Sequence, residues 1–190
     1  MRYAYFIRRL AIIMRHDIFS TPVWHIEGAP LKLIDELYQG AYRIKEKYKS
    51  VTNSNQGGYQ SSAFEWENFH PQGKEYINNV VSKILEGEQS PFYKNFKVQH
   101  WWYNINSKEQ WNIPHTHPLA NLALVFYLTD SDGLLTFLNP HSQRAIHSQN
   151  ASINAKKGDI VIFPSDLYHY VLPNTREEDR ISISMNLRLS

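Results

Sequence analysis

The sequence predicts a mainly β protein in which two flanking helices precede a sandwich of short strands. Two stretches in the first half repeat apolar residues at helical spacing, whereas the chain beyond Pro91 carries short aromatic and β-branched runs separated by Asn, Pro, Gly and Ser. Many short strands with turn residues between them indicate an antiparallel sandwich or barrel. A chain of 190 residues buries roughly 70% of its unfolded surface, so we expect a single domain over 1–190.

The first helix is predicted over about residues 30–49. Its apolar positions recur every three or four residues and charged residues fill the opposite face, which makes the helix amphipathic. Pro30 suits the first turn, because the backbone nitrogen there has no partner within the helix in any case. The apolar face consists of Leu33, Ile34, Leu37, Tyr38, Ala41 and Ile44.

A loop and a second helix follow. Residues 50–62 are rich in Asn, Gly and Ser, which favour turns. Helical spacing then predicts a packing helix over about 73–87, with Gly87 at its end. The apolar positions of this helix are Tyr76, Ile77, Val80, Val81, Ile84 and Leu85.

The predicted strands occupy about residues 96–189, and residues 98–155 within this region carry only five charged side chains. Their sequences are FKVQHWWYNI, NLALVFYL, LLTFL, DIVIFP and RISISMNLRL. We expect the two helices to buttress the sandwich that these strands form.

Residues 1–14 stand apart from this organisation. Arg8 and Arg9 interrupt their apolar run and no small-residue cleavage site follows, so a secretory signal is not predicted. An added strand, an interfacial segment and an upstream extension with Met14 as the true start remain open alternatives. No run approaches about 18 uninterrupted apolar residues, so neither a membrane span nor a membrane partner is expected, and the expected location is the cytoplasm.

Composition limits the chemistry that is available. The chain has no Cys, which excludes disulfides, thiolate metal sites and a thiol nucleophile, so any metal must be held by His, carboxylate or water. There are 20 Lys and Arg against 18 Asp and Glu, a formal net charge of +2 that gives no reason to expect a nucleic-acid partner. The nine His residues are therefore examined as candidate metal ligands.

Three of these His residues are candidates for one metal site. His115 and His117 follow an expected turn at residues 112–114, and alternate residues of an extended chain project to the same face. His169 comes five residues after the proline that ends DIVIFP, where a jelly roll returns a late residue beside an early His pair. Three ligands on one face leave the other positions open for substrate and O2, as non-haem iron chemistry requires. The alternative is ordinary surface or edge-strand histidine.

A second group of candidate site residues lies in the last predicted strand. Strand alternation gives RISISMNLRL one polar and one apolar face. An arginine that points into a sandwich poor in charge needs an anionic partner, and a carboxylate-bearing cosubstrate would provide a bidentate one. The alternative is that this face is solvated. The residues on it are Arg180, Ser182, Ser184 and Asn186.

Seven segments of the chain carry a resemblance to a known family. They are FSTPVW, SNQGGYQS, WWYNIN, HTHP, VFYL, GDIVIFPSDLYH and RISISMN, and together they extend from about Phe19 to near Leu189. In combination they resemble the 2-oxoglutarate/Fe(II)-dependent oxygenases of the prolyl-hydroxylase-like branch, of the type found in marine bacteria and bacteriophages. The resemblance implies a double-stranded β-helix, which is a cupin-like jelly roll, and a location in the cytoplasm of a bacterium or a phage-infected cell.

The resemblance also implies a reaction and its cofactors. With Fe(II) and O2, the enzyme would couple oxidative decarboxylation of 2-oxoglutarate to hydroxylation of a substrate such as a prolyl or other peptide residue. The distal carboxylate of 2-oxoglutarate would pair with Arg180, assisted by Ser182 or Tyr127. Separately from the resemblance, Asn104 and Asn106 alternate on one face of the strand before the His pair, so one of them is a further candidate for a hydrogen bond to the cosubstrate. The catalytic and metal-binding residues would be His115, His117 and His169.

Two positions depart from the family pattern. The wider superfamily has His-x-Asp where this chain has His117, and an imidazole in place of a carboxylate leaves the ferrous site with one more positive charge. The segment LALVFYL carries Ala123 and Leu124 where Ser-Gly is more frequent, which bears on the shape of the pocket floor.

The remaining aromatic and His residues are given lesser roles. The aromatic cluster before the His pair is expected to divide between core packing and the wall of the pocket; it consists of Trp101, Trp102, Tyr103 and Trp111. His141 and His147 lie in a predicted loop that is either a lid or solvated. We expect structural roles for His16, His25, His70 and His100.

Two other functions remain open from sequence alone. One is a three-His cupin-type metalloenzyme that does not use 2-oxoglutarate, against which Arg180 with Ser182 argues. The other is a non-catalytic jelly-roll binding module. The primary substrate, peptide or metabolite, is unidentified, and a homodimer is an open alternative to a monomer.

Overall fold

The computed structural model describes residues 20–88, 94–130, 132–140 and 150–190. Within them, helix α1 spans Leu31–Lys47 and helix α2 spans Pro71–Glu88, with a short 3-10 helix at Trp66–Asn68. The strands are β1 Trp24–Ile26, β2 Asn55–Gln56, β3 Tyr59–Gln60, β4 Phe64–Glu65, β5 Phe96–Asn106, β6 Trp111–His115, β7 Leu122–Tyr127, β8 Leu135–Phe137, β9 Ala151–Ile153, β10 Ile160–Pro164, β11 His169–Val171 and β12 Arg180–Leu189. The predicted class, mainly β with two helices, is confirmed.

The strands form two antiparallel sheets. The large sheet has the order β1-β10-β7-β12-β5-β3, with β4 also paired to β5, and the small sheet has the order β2-β6-β11-β8-β9. The last strand, β12, lies between β7 and β5. The C-terminal strand is therefore inserted into the middle of the large sheet, which brings residues after 180 beside residues near 104 and 125.

The large sheet has an apolar face and a cavity face. Ile183 of β12, which is 0% exposed, belongs to the same core cluster as Leu37 of α1 and Val81 of α2, so the helices pack on the apolar face. A second cluster contains Val125 of β7 and Phe137 of β8, so it lies between the large and the small sheet. Alternation along each strand thus separates side chains that pack against helices from side chains that face the cavity.

Helix α1 approaches the large sheet closely at Gly40. A Cβ at this position would lie 2.8 Å from the hydroxyl of Tyr103 on β5. That hydroxyl donates a hydrogen bond to the carbonyl oxygen of Leu37 at 3.0 Å. The glycine therefore allows a buried tyrosine to reach the helix backbone.

The predicted turn at residues 112–114 is wrong, because β6 spans Trp111–His115. Strand β2 pairs only with Trp111 and Asn112, and the register with β11 shifts between His169 and Val171. Pro114 therefore lies where the β2 side is unpaired and the β11 register is irregular, and proline is tolerated in strands at such positions.

Smaller differences concern the helices and the loop at residues 50–62. The observed helix bounds lie within two residues of the predicted ones, and Gly87 is inside α2, which ends at Glu88. The predicted loop contains β2, which joins the small sheet, and β3, which joins the large one. Both have two residues, too few for a periodic signal in the sequence. The predicted extension at residues 1–14 lies outside the described residues. None of the described helices is long and apolar enough to cross a membrane.

Candidate active site

Three His side chains meet at one end of the small sheet. His115 ends β6 and His169 begins β11; the two are direct cross-strand neighbours with ring centroids 4.3 Å apart. His117 follows two residues after β6 ends, and its ring centroid lies 5.3 Å from that of His115. One donor nitrogen from each ring lies within 4.8 Å of the other two. The structure thus brings together the three His residues that the sequence indicated.

The rings of His115 and His169 are oriented by nearby backbone. Nδ1 of His115 donates to the carbonyl oxygen of Ile113 at 2.7 Å. Nδ1 of His169 donates to the carbonyl oxygen of Leu167 at 2.9 Å. A carbonyl oxygen can only accept, so the proton of each neutral ring is on Nδ1 and Nε2 carries a lone pair.

His117 is oriented by a distant side chain instead. Its Nδ1 donates to Oδ1 of Asn186 on β12 at 2.6 Å. Its Nε2 lies 3.3 Å from Nε2 of His169. Both nitrogen atoms carry lone pairs, so they do not form a hydrogen bond with each other, and both lone pairs point to the same place. Strand alternation predicts Asn186 on the polar face of β12 but indicates no role for it. A residue 69 positions away is identified only by the pairing of the strands.

The His cluster fits a transition metal ion. Burial lowers the pKa of His117 to about 4 and that of His169 to about 3, and it also lowers the pKa of His115, so all three rings are neutral ligands at pH 7. The 3.3 Å between two Nε2 atoms is near the ~3.0 Å expected for ligands at right angles with bonds of about 2.1 Å. Neutral imidazole suits iron among other metals, so the Nε2 atoms of this cluster could hold Fe(II).

Arg180 is a buried cation in the same cavity. It begins β12 and is 3% exposed, and burial lowers its pKa. Its Nη1 donates to the carbonyl oxygen of Leu172 at 2.8 Å, and its Nη2 to that of Gln110 at 3.4 Å. No carboxylate in the described part of the chain forms an ion pair with it. Gly133 makes room for the guanidinium, because a Cβ there would lie 1.8 Å from Nη1.

Three polar residues form a row across the large sheet next to Arg180. Ser182 lies opposite Tyr127 on β7 and opposite Asn104 on β5. The hydroxyl of Tyr127 and Oδ1 of Asn104 are buried without a hydrogen-bond partner in the described part of the chain, although the amide of Asn104 donates to Ser184 Oγ at 3.0 Å. Burial raises the pKa of Tyr127, which keeps its hydroxyl protonated. Buried polar atoms without partners are unfavourable, so a ligand with matching groups would be stabilised here.

A chain of hydrogen bonds links the two sheets beside this row. Asn106, opposite Arg180 on β5, donates to Oδ1 of Asn112 on β6 at 2.9 Å, and Asn112 donates to Ser54 Oγ at 3.1 Å. Oδ1 of Asn106 has no partner, and a Cβ at Gly58 would lie 2.1 Å from it. The sequence assigns neither Asn112 nor Ser54 to the site, because Asn112 lies on the five-residue β6 and Ser54 directly precedes the two-residue β2, where no strand pattern is visible.

All seven residues that the sequence indicated for metal or cosubstrate binding line one cavity between the sheets. The His cluster and the polar row therefore face a common space. These lining residues are Asn104, His115, His117, Tyr127, His169, Arg180 and Ser182.

The aromatic residues before the His pair divide between two environments. Trp101 and Tyr103 are buried in the core under the helices. Trp102 lines the cavity instead, and its ring stacks on His117 at 5.5 Å between centroids and 24° between planes. Trp111 is half-buried at the start of β6.

The other described His residues have structural partners. His25 contacts Asp159 at 2.8 Å, and His70 contacts Glu36 at 3.1 Å. His100 lies 3.6 Å from Glu65. His16, His141 and His147, with the suggested lid, lie outside the described residues.

Comparison with protein families gives one match. Residues 100–186 match a family model described as "Putative 2OG-Fe(II) oxygenase". The matched region holds the His cluster, Arg180 and the polar row. Over this region the chain is similar to the 2OG-Fe(II) oxygenase family. Enzymes of this family use Fe(II), 2-oxoglutarate and O2. No curated protein matches the chain.

Solved structures similar to this chain include three informative ones. A prolyl-4-hydroxylase from Pseudomonas putida has a TM-score of 0.68 at 14% identity, covering 89% of this chain and 93% of its own. The viral collagen prolyl hydroxylase from Paramecium bursaria Chlorella virus-1, in complex with 2-oxoglutarate, has a TM-score of 0.62 at 15% identity. The match covers 88% of this chain and 96% of the viral enzyme. HygX from Streptomyces hygroscopicus, with nickel, 2-oxoglutarate and hygromycin B bound, has a TM-score of 0.59 at 11% identity. The match covers 88% of this chain and 83% of HygX. These likenesses show a shared fold.

Proposed function

We propose that this enzyme couples oxidative decarboxylation of 2-oxoglutarate to hydroxylation of a second substrate, with a peptide residue such as proline as the substrate. Fe(II) is held by Nε2 of His115, His117 and His169, and the distal carboxylate of 2-oxoglutarate pairs with Arg180. The two sheets form the double-stranded β-helix of the family. When bound, the iron supplies the activation of O2 that both half-reactions need.

One observation carries this proposal: three Nε2 lone pairs face the same cavity as a buried guanidinium that has no ion-pair partner among the described residues. The His cluster alone would suit any imidazole-binding metal, so it does not identify a cosubstrate. Arg180 adds the requirement for an anion, because a buried cation is stable only when it is paired or well hydrogen-bonded. A metal and an anionic cosubstrate in one cavity together favour 2-oxoglutarate.

The residues around Arg180 orient the cosubstrate. The guanidinium has planar donors that match a carboxylate, and Leu172 and Gln110 fix its plane by accepting two of its hydrogens. The hydroxyl of Tyr127 is buried and finds no acceptor among the residues that the structure describes, so it can donate to the same carboxylate. Ser182, between Tyr127 and Asn104 in the strand register, adds a second hydroxyl.

The residues around the His cluster keep the ligands in place and restrict water. Trp102 stacks on His117, and Phe163 packs edge-on against His169 with centroids 4.6 Å apart. His117 and His169 are 6% and 2% exposed. A site closed in this way shields a strong oxidant from side reactions with solvent.

The third neutral ligand distinguishes this site from the His-x-Asp pattern. With His117 in place of a carboxylate, the protein contributes no negative charge to the metal. A dianionic cosubstrate is then attracted more strongly, because the charge of the metal is not partly neutralised by a ligand. The weaker neutralisation would also alter the redox poise of the iron.

A two-stage experiment tests the proposed function. Without O2, Fe(II) is added to the protein and 2-oxoglutarate is then titrated while the visible absorption of the iron site is recorded. Admission of O2 should then produce succinate and CO2 slowly, even in the absence of a second substrate. Incubation of the loaded enzyme with peptide and metabolite libraries should yield one product heavier by one oxygen atom, detected by mass spectrometry.

The same experiment separates the two alternative functions. Tight iron binding with no spectral response to 2-oxoglutarate would contradict the proposal and indicate a three-His metalloenzyme with another cosubstrate. Failure to bind iron at all would indicate a non-catalytic binding module. Modification of a metabolite, with no peptide product, would contradict the substrate class alone.

A further inference from the structure

A pair of cations lies on the cavity face of the large sheet, beyond the residues of the proposed site. Lys97 of β5 and Arg188 of β12 are directly opposite each other in the strand register, and both are exposed. Their chain neighbours Val98 and Leu187 are buried in the core under the helices. Alternation therefore directs the two cations away from the helices, to the side that carries Asn186.

The charge of this pair is not neutralised by the described residues. Like charges directly opposite each other on neighbouring strands destabilise a sheet. Neither Lys97 nor Arg188 forms an ion pair with a described carboxylate. Glu65, on the adjacent strand β4, contacts His100 instead. A bound anion would relieve the repulsion between the two cations.

The pair is close to the proposed metal site. Arg188 is two residues beyond Asn186, the partner of His117, which corresponds to about 7 Å along a strand. On the other edge of β12, the backbone nitrogen of Asn121 donates to the carbonyl oxygen of Leu187 at 2.8 Å, and its Oδ1 accepts from Leu189 at 3.0 Å. The loop that carries His117 is therefore fastened to the strand end that carries Arg188.

Exposed apolar side chains adjoin two of the His residues in the chain. Leu119, two residues after His117, is 87% exposed, and Tyr168, just before His169, is 55% exposed. Leu119 has a φ of 69°, a left-handed conformation that is uncommon for leucine. Because exposure of a leucine in a strained conformation has no benefit for folding, a role in contacting a ligand is the simpler explanation.

We propose that the primary substrate is an acidic polypeptide segment whose carboxylate binds Lys97 and Arg188. This inference rests on the proposed function and specifies its substrate. Because Arg188 lies only two residues beyond Asn186, the partner of His117, the acidic residue and the hydroxylated residue belong to one short segment of the substrate. A peptide is favoured over a small phosphate ligand because the two cations are exposed on the sheet, whereas phosphate is typically enclosed by backbone N–H groups.

Binding of labelled peptides tests this inference without turnover. The probes are fluorescein-labelled peptides with a central Pro and flanking Glu, Gln or Lys, and the readout is fluorescence anisotropy of the full chain with each peptide. The Glu peptide should bind more tightly than the Gln peptide, and this preference should decrease as salt is added. Lys97→Gln and Arg188→Gln should each weaken binding of the Glu peptide by about 2- to 5-fold, the range for an exposed ion pair.

A matched control and a charge reversal sharpen the comparison. Lys83→Gln removes one exposed positive charge from α2, on the opposite side of the large sheet, and should leave binding of the Glu peptide unchanged. The double variant Lys97→Glu with Arg188→Glu should prefer the Lys peptide. Thermal unfolding of each variant shows that it is folded.

Three outcomes would overturn the inference. They are equal binding of the Glu and Gln peptides, an unchanged preference in the Lys97 and Arg188 variants, and competition by inorganic phosphate with no peptide binding. Succinate formation by the wild-type enzyme is measured separately. Its absence, together with Glu-peptide binding that depends on Lys97 and Arg188, would reject the proposed function and support the acidic-peptide site.

Discussion

The cavity has two ends that are built differently. The metal end is the cluster of His115, His117 and His169, and each of these rings donates its Nδ1 hydrogen to an oxygen of the protein. The anion end is the group around Arg180 and Tyr127, where the guanidinium has no ion-pair partner among the described residues and the tyrosine hydroxyl has no hydrogen-bond partner. Under the proposed function, the protein orients the metal ligands before a metal binds, whereas the cosubstrate would complete the hydrogen bonds at the anion end.

Loss of a metal ligand should have the largest effect, because it should strongly weaken iron binding at the metal end. His169→Ala deletes one of three Nε2 donors, so we expect Fe(II) affinity to decrease by more than about 100-fold, beyond the range for loss of an outer partner. Anaerobic equilibrium dialysis with Fe(II) measures this. His25→Gln, which alters a His paired with Asp159, should bind iron normally. Retention of wild-type iron affinity by His169→Ala would refute the assignment of the ligands.

Loss of the cation should disable the anion end and leave the metal end intact. Arg180→Ala should weaken 2-oxoglutarate binding by about 3 kcal/mol, or roughly 100-fold, because a buried charged hydrogen-bonded partner is removed. Anaerobic titration of the iron site with 2-oxoglutarate measures this, and Fe(II) affinity should change little. Arg43→Ala, an exposed substitution on α1, is the control. Equal losses of iron and cosubstrate in Arg180→Ala would mean that the two ends are not separable.

The partner of His117 should have an intermediate effect at the metal end. Asn186→Leu removes the acceptor of the Nδ1 hydrogen, and loss of such an outer partner typically reduces metal affinity by about 10- to 100-fold. Asn186→Asp keeps an acceptor at the same place and should retain most of the affinity. The same Fe(II) dialysis tests both variants. If the Asp and Leu variants lose affinity equally, then the hydrogen bond does not position the ring.

The smallest effect should come from a hydroxyl at the anion end. Tyr127→Phe removes a buried group without a partner, so the free energy of unfolding in denaturant should be unchanged or higher by up to about 1 kcal/mol. Tyr103→Phe is the matched control, because its hydroxyl donates to Leu37, and its loss should destabilise by about 1 kcal/mol. Addition of 2-oxoglutarate should stabilise the Tyr127 variant less than the wild type. Destabilisation of Tyr127→Phe in the absence of ligand would show that the hydroxyl is already satisfied.

The predictable parts of the fold are those with long periodic signals. Helices α1 and α2 have several turns of regular spacing, and β12 alternates over ten residues. The shortest elements were missed: β2 and β3 have two residues each, which is too few for alternation to be seen. Pro114 misled the sequence reasoning because proline favours turns, whereas the unpaired side of β6 accommodates it.

The residues of the candidate site also differ in how well the sequence predicts them. His115, His117, His169 and Arg180 belong to residue types and spacings that indicate chemistry, so the sequence was sufficient to nominate them. Asn186 was not assigned a role, because a single Asn on a polar strand face has many common explanations.

The sequence alone determined the mainly β class, the two helices, the nomination of three His residues and the two faces of β12, because each of these depends on local spacing. The tertiary structure decided which groups meet. It set His169 opposite His115, supplied His117 with Asn186, and placed Lys97 opposite Arg188. These contacts join residues that are far apart in the chain, and the order and register of the strands fix them, which no short sequence pattern specifies.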